Sequence, residues 1–372
     1  MRSAVVALIL FALPAAACSV CGSALKSKNT LREELAQCKA AVVGTLKNPK
    51  PNPSGTGGTT EFHFAKVLKS AAVVEKKAGV TIPQYFPVIG DTPPDYLFFF
   101  DEVNGQPTVT GGVPSSAAVV EYLSAVAKLD PKDVPARLGF YFKHCDAADP
   151  TVAGDAFLEF AKAADADILK AKGGFDPAKL ARLLADPKTP EERLGVFAAL
   201  LGLCGETKHT AVFTALLKEP LADRAKANLG GILAGYVLLD PQAGWAATRT
   251  VLADDKRAFD QRLSALGTLR FLQATRADAT AEVLAVCKEL LASPDFADLT
   301  IEDLRRWGWW DLTADVFAVW DKPAGEVREV KKAIVRYALS CPKEEAKPFL
   351  DAARKADAKL VSQVEASEQL KR

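Results

Sequence analysis

The sequence has only three histidines, and none has a partner at the spacing that metal ligands or catalytic bases need. His63, His144 and His209 lie far apart along the chain. The sequence also has no HExxH zinc motif, no GxSxG nucleophile elbow, no dinucleotide-binding glycine fingerprint and no catalytic Cys-His signature. We therefore predict a protein that is not an enzyme and that uses no cofactor or metal.

The chain also lacks an excess of charge of either sign. Its 47 lysines and arginines are balanced by 46 aspartates and glutamates, for a formal net charge of +1. Nucleic-acid-binding proteins need a basic excess, because much of their affinity comes from releasing counterions from the phosphates. We therefore predict no nucleic-acid partner.

No apolar run in the sequence is long enough to cross a membrane. After residue 17 the best candidate, Leu229–Leu239, has eleven residues, whereas a spanning helix needs about 20. Gly231 and Gly235 lie four residues apart within it. This spacing predicts a buried helix whose glycines allow a second helix to approach closely.

The start of the chain has the pattern of a secretory signal over residues 1–17. Arg2 supplies the positive charge, a ten-residue apolar stretch follows, and three alanines ending at Ala17 supply the small residues that a signal peptidase needs. Cleavage there leaves Cys18 as the first residue, so a lipid anchor on Cys18 is an alternative to a free amino terminus. We predict an exported protein, periplasmic or extracellular.

Seven cysteines fall into two groups, and export permits disulfide bonds. Cys18, Cys21 and Cys38 lie near the amino terminus, which predicts a disulfide from Cys18 or Cys21 to Cys38. A zinc site with His63 as the fourth ligand is the alternative. The second group lies in helical patterns and is predicted to be small buried apolar residues: Cys145, Cys204, Cys287 and Cys341.

Residues 18–112 have the patterns of a small β-rich domain. We predict a short helix over 25–38 and an exposed loop over 48–60, where Pro, Gly, Asn and Thr dominate. In 61–69, phenylalanines alternate with polar residues, which is the period of a half-buried strand. Five strands and one helix in about 95 residues predict a small closed or partly open, OB-like barrel. The predicted strands are 40–46, 61–69, 80–85, 96–103 and 108–110.

The same region carries cysteines and strand sequences in a particular order. Cys18 and Cys21 come first, Cys38 stands just before AAVVGTL, and the segments FHFAKVLKS and YLFFF follow. In these features residues 18–112 resemble the netrin-like module of tissue inhibitors of metalloproteinases. The resemblance implies an OB fold. It also implies a protease inhibitor, because those inhibitors use the free α-amine of the first cysteine to ligate the zinc of the protease.

Residues 115–372 show helical patterns only, with apolar residues three and four apart. We predict roughly a dozen helices of 10–18 residues. The segment DPTVAGDAFLEFAKAAD resembles HEAT-type repeats, which stack into a superhelix. The predicted fold is therefore α+β and multidomain: an OB-like barrel followed by a large all-α, HEAT-like solenoid. Five Asp-Pro pairs are predicted to begin helices: Asp130-Pro131, Asp149-Pro150, Asp176-Pro177, Asp186-Pro187 and Asp240-Pro241.

The most distinctive segment is Ile301–Trp320, which holds four of the five tryptophans. One interpretation is an interaction surface, because Trp and Arg concentrate in the hot spots of interfaces. The other is a packed junction, in which Gly308 ends one helix and Asp311 caps the next. The residues of the predicted surface are Arg305, Arg306, Trp307, Trp309 and Trp310.

A repeat architecture without a catalytic motif predicts a non-enzymatic binding or scaffolding protein outside the cytoplasm, with another protein as its partner. The inhibitor implied by the netrin-like resemblance is the main alternative, and a lipidated Cys18 would exclude it. An enzyme whose site forms no motif is the third. The whole chain also resembles a group of exported bacterial proteins, from which we carry over no function.

Overall fold

We describe the fold from a computed structural model of the chain, which describes residues 28–53, 55–75, 77–87, 93, 95–218 and 221–370. The predicted signal and the cysteines Cys18 and Cys21 lie outside these residues. The chain forms two compact units. Unit 1 comprises the chain up to Thr248 together with Lys256–Gly267, and unit 2 comprises Arg249–Asp255 together with Thr268–Arg372.

Unit 1 begins with a helix and a five-stranded antiparallel sheet, which confirms the prediction of a β-rich part followed by helices. The order of the strands in the sheet is β3-β2-β1-β4-β5. The elements are α1 (Leu31–Gln37), β1 (Ala40–Pro51), β2 (Gly58–Lys69), β3 (Gly79–Ile82), β4 (Asp95–Val103) and β5 (Gln106–Pro114).

The hairpin of β1 and β2 is longer than predicted, so the exposed loop expected over 48–60 is mostly wrong. The two strands remain paired out to Pro51 opposite Gly58. A register shift lies between Lys47 and Lys50, and Asn48 has a left-handed backbone with φ of 48°. This β-bulge accommodates the register shift. Pro51 is tolerated because it is the last residue of its strand.

Helix α1 is shorter than the predicted 25–38, because its first turn is closed by a capping box. The Thr30 hydroxyl accepts from the Glu33 amide, and the Glu33 carboxylate accepts from the Thr30 amide. At the other end, the Lys69 ammonium from β2 donates to the carbonyl oxygens of Leu35, at 2.8 Å, and Cys38. These bonds satisfy the last carbonyls and fix α1 on the sheet.

The two faces of the sheet are both buried, in different cores. On one face, an aromatic core that includes Phe62, Phe98 and Phe100 is built within the β-rich part. On the other face, side chains such as Phe99 join a core that includes Tyr122 and helices further along the chain. Alternation along each strand sends successive side chains to opposite faces. The sheet and the first helices of unit 1 therefore share a core.

Seventeen α-helices follow β5 in the described part of the chain, more than the predicted dozen, and several are only five to seven residues long. They are α2 (Ala117–Val126), α3 (Val134–His144), α4 (Pro150–Lys162), α5 (Asp165–Ala171), α6 (Pro177–Ala185), α7 (Glu191–Cys204), α8 (Thr210–Leu216), α9 (Leu221–Ala225), α10 (Leu229–Leu239), α11 (Pro241–Ala253), α12 (Phe259–Thr275), α13 (Thr280–Leu290), α14 (Ala297–Trp307), α15 (Thr313–Ala318), α16 (Arg328–Ser340), α17 (Ala346–Ala356) and α18 (Ala358–Gln369).

Three of the five Asp-Pro pairs begin helices as predicted. Asp149, Asp176 and Asp240 cap α4, α6 and α11 through their carboxylates. The prediction was wrong for Asp130 and Asp186. Each accepts instead from the amide two residues later, which closes a turn before the next helix.

Helix α10 confirms the prediction made from its glycines. It packs tightly against α7 within unit 1. A Cβ atom added at Gly231 would lie 2.0 Å from the Gly195 carbonyl oxygen, and one at Gly235 would lie 2.2 Å from that of Ala198. The small-residue spacing thus lets the two backbones touch. No helix in the described residues is both long and apolar enough to cross a bilayer.

Candidate functional site

The predicted tryptophan segment lies in unit 2, at the carboxyl end of α14. We call residues Trp307–Trp310 the tryptophan turn. Gly308 adopts a left-handed conformation with φ of 67°, and the amides of Gly308 and Trp309 donate to carbonyl oxygens of the last turn of α14. Glycine is the residue that this conformation favours, so Gly308 ends the helix as predicted.

The tryptophan rings of this turn are neither fully buried nor fully exposed. The ring centres of Trp307 and Trp309 are 5.1 Å apart at 60°, and both residues are half-buried. Trp310 packs edge-on against Tyr337 of α16, with ring centres 4.8 Å apart. Trp310 thus anchors the turn, while Trp307 and Trp309 present part of their rings to solvent.

Two hydroxyl groups fix the backbone of the turn. The Thr313 hydroxyl donates to the Trp310 carbonyl at 2.6 Å, and the Tyr337 hydroxyl donates to that of Trp309 at 3.2 Å. Burial raises the pKa of Tyr337 to about 12, so its hydroxyl keeps its proton at neutral pH. The predicted cap by Asp311 is wrong, because α15 starts at Thr313 without a side-chain cap.

The two arginines of the predicted surface have different environments. Arg305 is half-buried and pairs at 2.9 Å with Glu302, which also pairs with Arg336 of α16. Arg306 is exposed and makes no ion pair within the described residues. The structure therefore brings all five predicted residues to one end of α14. The charge of Arg306 opposes the rise that burial causes in the pKa of Asp303.

A cavity of about 540 Å³ is lined by residues of α16, α17 and the segment between them and was not predicted from the sequence. Cys341 lines it, and the Cys341 sulfur is 3.7 Å from the same Thr313 hydroxyl that holds Trp310. Leu339 and Leu350 give the cavity apolar walls. Residues 338–354 have the pattern of an ordinary pair of helices, so the sequence does not predict this cavity.

The amino-terminal cysteines are not brought together in the described residues, because Cys18 and Cys21 lie outside them. Cys38 is buried and is bonded to no other cysteine of the described residues. Its sulfur donates to the Leu35 carbonyl, and burial raises the pKa of its thiol. His63 lies 3.1 Å from the Glu61 carboxylate. The disulfide and its zinc alternative both stay predictions.

The four cysteines of the second group are free thiols, of which two are buried and two are half-buried. Cys145 and Cys287 are buried, as predicted, whereas Cys204 and Cys341 are half-buried. Burial raises the pKa of Cys145 to about 11 and that of Cys287 to about 12, which makes both unreactive at neutral pH. The described residues contain no group of three or more His, Cys, Asp or Glu arranged to hold a metal ion.

Sequence reasoning missed a buried polar cluster in unit 1, formed by Leu31, Arg32, Tyr122, Asp155 and Glu159. We call it the α1 junction. The Leu31 amide and the Tyr122 hydroxyl both donate to the Asp155 carboxylate, at 2.6 and 2.8 Å. The Arg32 guanidinium makes a two-bond contact with Glu159, at 3.0 and 3.2 Å. These bonds fasten α1 to α4.

Both carboxylates of the α1 junction are buried. Burial raises the pKa of Asp155 to about 6, with a smaller contribution from the charge of Glu159. The only trace in the sequence is a pair of acids four residues apart on an otherwise apolar helix. Because their partners are backbone and side chains of the same unit, we assign the cluster a structural role.

Comparisons with known proteins give no relative for this chain. No protein-family model, no curated protein and no solved structure matches it. Function must therefore be argued from the geometry of the molecule itself.

Proposed function

We propose that this protein is a non-enzymatic binding or scaffolding protein whose tryptophan turn docks a segment of another protein. The observation that carries the proposal is the pair of Trp307 and Trp309, half-buried side by side on a backbone held by Thr313 and Tyr337. Aromatic anchors on a rigid support bind with little loss of conformational freedom, and Trp is the residue most enriched in hot spots.

The charges around the turn suit a partner segment that carries an apolar side chain next to a carboxylate. Arg306 is exposed and forms no ion pair within the described residues. Lys343 and Lys347 line the cavity of Cys341 together with one acid, Glu344, that forms no ion pair within the described residues. The cavity's third cation, Arg354, is already paired with Asp351. An apolar side chain in the cavity and an acid near Arg306 would satisfy both features.

The proposal also covers how the sheet closes and how the helices repeat. We propose that the sheet curls into an OB-like barrel, which is supported by the close approach of its edge strands β3 and β5. We also propose a HEAT-like solenoid. In its support, α7 packs on α10 in unit 1, and α16 packs on both α14 and α18 in unit 2. These partners start 30 to 38 residues apart, which suits a repeat of two helices.

Export is proposed from residues 1–17, with Cys18 as the first residue, free or lipidated. Mass spectrometry of the native amino terminus tests both points, and an intact Met1 in the exported fraction would contradict export.

The inhibitor alternative rests on a free Cys18 amine. A panel of metalloproteases assayed with the purified mature protein tests it, and no inhibition at micromolar protein would remove it.

The docking proposal is tested by quantitative capture from the native envelope. Wild-type protein is compared with a Trp307→Ala/Trp309→Ala variant and with a Tyr85→Ala control, which removes an aromatic residue that is 41% exposed in the β-rich part. We expect a partner whose recovery falls at least about tenfold with the double variant and is unchanged with the control. Equal recovery with all three proteins would refute the proposal.

A further inference from the structure

A second cavity, of about 200 Å³, lies in unit 1, where α7 begins. Its apolar walls include Leu183 and Phe197, and Arg193 also lines it. Arg193 lies on the first turns of α7, so its guanidinium is carried by a helix whose other side is locked against α10. The cavity belongs to neither the tryptophan turn nor the α1 junction.

Arg193 is a partly buried cation without an acidic partner. One of its terminal nitrogens donates to the Cys145 carbonyl at 3.0 Å, and the guanidinium carbon lies 5.5 Å from the ring centre of Phe157. Its Nε atom is buried and has no hydrogen-bond partner, and no carboxylate in the described residues forms an ion pair with it. Burial lowers the pKa of Arg193, as expected for a cation that is not compensated.

The acids that line the cavity are already engaged. Asp146 pairs with Lys179 at 2.6 Å and with Arg182 at 3.5 Å, both from α6. Asp186 accepts a bond from the backbone amide of Lys188. The Lys188 side chain lines the cavity and is exposed. With Asp146 paired to two cations, the two cations that line the cavity, Arg193 and Lys188, outnumber the one lining acid without an ion pair in the described residues, Asp186.

An unpaired arginine next to an apolar pocket is the arrangement that recognises a carboxylate, because the planar guanidinium offers two parallel donors to its two oxygens. The Nε atom is buried and out of reach of the cavity, and one terminal nitrogen already donates to the Cys145 carbonyl, so the second terminal nitrogen, which forms no hydrogen bond within the described residues, is the donor left for a carboxylate. The volume is below the 300–1,000 Å³ of typical drug-sized sites, so it suits one small acid or the last residue of a chain.

We propose that this cavity binds a carboxylate, held by Arg193 and Lys188, with Leu183 and Phe197 contacting the apolar group that the carboxylate carries. The carboxylate is either that of a small free acid or the carboxyl terminus of a peptide. Both sources present the same chemistry to Arg193.

The test is isothermal titration of the full chain with straight-chain acids from acetate to hexanoate, and with short peptides that have either a free or an amidated carboxyl terminus. We expect the acids or the free-terminus peptides to bind, and their amides not to bind. Stronger binding by the acids would identify a small-molecule site, and stronger binding by the peptides would identify a chain terminus.

Variants identify the residue that makes the contact. Arg193→Met should weaken binding about tenfold or more, because it removes a charge-assisted bond, and Lys188→Ala should weaken it about two- to threefold. Arg276→Met is the matched control. It removes the same charge from a residue whose side chain is 36% exposed and whose acid partner, Asp278, does not line the cavity, so it should change binding less than about twofold.

Arg193→Lys keeps the charge without the planar fork and should still weaken binding, and thermal melting shows that each variant is folded. Three results would overturn the proposal: no binding of any acid or free-terminus peptide at millimolar concentration, equal binding of acids and amides, or no effect of both Arg193→Met and Lys188→Ala. Arg193→Met should leave the capture through Trp307 and Trp309 intact, so the two proposals can fail independently.

Discussion

The α1 junction and the tryptophan turn use polar and aromatic residues in opposite ways. In the α1 junction, Asp155 and Glu159 are buried and their oxygens are taken up by donors of the same unit. In the tryptophan turn, the backbone is fixed, but the rings of Trp307 and Trp309 stay half-exposed. The polar groups of the α1 junction are bonded within the unit and stabilise the fold. The tryptophan turn has a fixed backbone but leaves part of its aromatic surface without a contact, which is what a binding surface requires.

The largest expected effect comes from removing everything before residue 115. The sequence predicts that residues 115–372 fold alone. The structure gives a reason to expect otherwise, because the fragment lacks α1 and the sheet face that includes Phe99. In the fragment, Asp155 loses the Leu31 amide and Glu159 loses Arg32. We expect the first helices of the fragment to lose cooperative unfolding, whereas unit 2 keeps it.

Circular dichroism melting and dye binding check this expectation, with a fragment of residues 28–372 as the control. A fragment of residues 115–372 that unfolds in the same transitions as the control would show that the sheet and α1 contribute nothing to the helices.

Glu159→Gln should produce the next largest effect, because it leaves the cations Arg32 and Arg137 without their acid. Removing one partner of a buried ion pair costs about 3 kcal/mol. The control is Glu282→Gln, which breaks an ion pair between Arg249 and a side chain that is 54% exposed and should cost at most about 0.5 kcal/mol. Denaturant unfolding measures both, and similar losses for the two variants would contradict the role given to the α1 junction.

The contribution of Asp155 to the stability of unit 1 should be more favourable at pH 5 than at pH 7. The folded-state pKa of Asp155 is about 6, above its ordinary value of 3.8, so between pH 4 and 6 the folded protein binds more protons than the unfolded chain. Stability therefore falls as pH rises through this window. Glu33 acts in the opposite direction, but its pKa is lowered, so its effect lies at more acidic pH.

Asp155→Asn removes the titration at this position and leaves that of Glu33 in place. The advantage in unfolding free energy of the wild type over this variant should be about 1 kcal/mol larger at pH 5 than at pH 7. A constant difference across this range would show that the carboxyl group is not buried as the structure has it.

A smaller loss of stability than that of Glu159→Gln should come from Trp309→Ala, since its ring is not fully buried and the backbone anchors at Thr313 and Tyr337 remain. We expect a loss of about 2 kcal/mol or less, measured by denaturant unfolding. A loss above about 3 kcal/mol would favour the packed-junction interpretation of the turn.

These two regions also show what the sequence can and cannot reveal. Local patterns were sufficient for the alternating strand around Phe62, the close helix contact at Gly231 and the helix end at Gly308, because each depends on neighbours along the chain. The α1 junction was missed because its bond from Leu31 to Asp155 joins residues 124 positions apart. The extended hairpin was missed because the β-bulge at Asn48 allows a proline-rich segment to stay paired as a strand.

The cavities were missed for the same reason as the α1 junction. Arg193 looks like any arginine at the start of a helix, and only the fold shows that it lines a cavity without an ion pair in the described residues. Cys341 likewise has no local signal that places it in a cavity.

The most direct test of the central claim is site-specific cross-linking at the tryptophan turn. A photoreactive phenylalanine analogue replaces Trp309 in one protein and Tyr85 in another, and both are illuminated in the native envelope. We predict one dominant cross-linked protein at position 309 that is absent at position 85, and its yield should fall when Arg306→Ala is added. Identical cross-linked products at the two positions, or none at position 309, would contradict the claim that this turn is a binding surface.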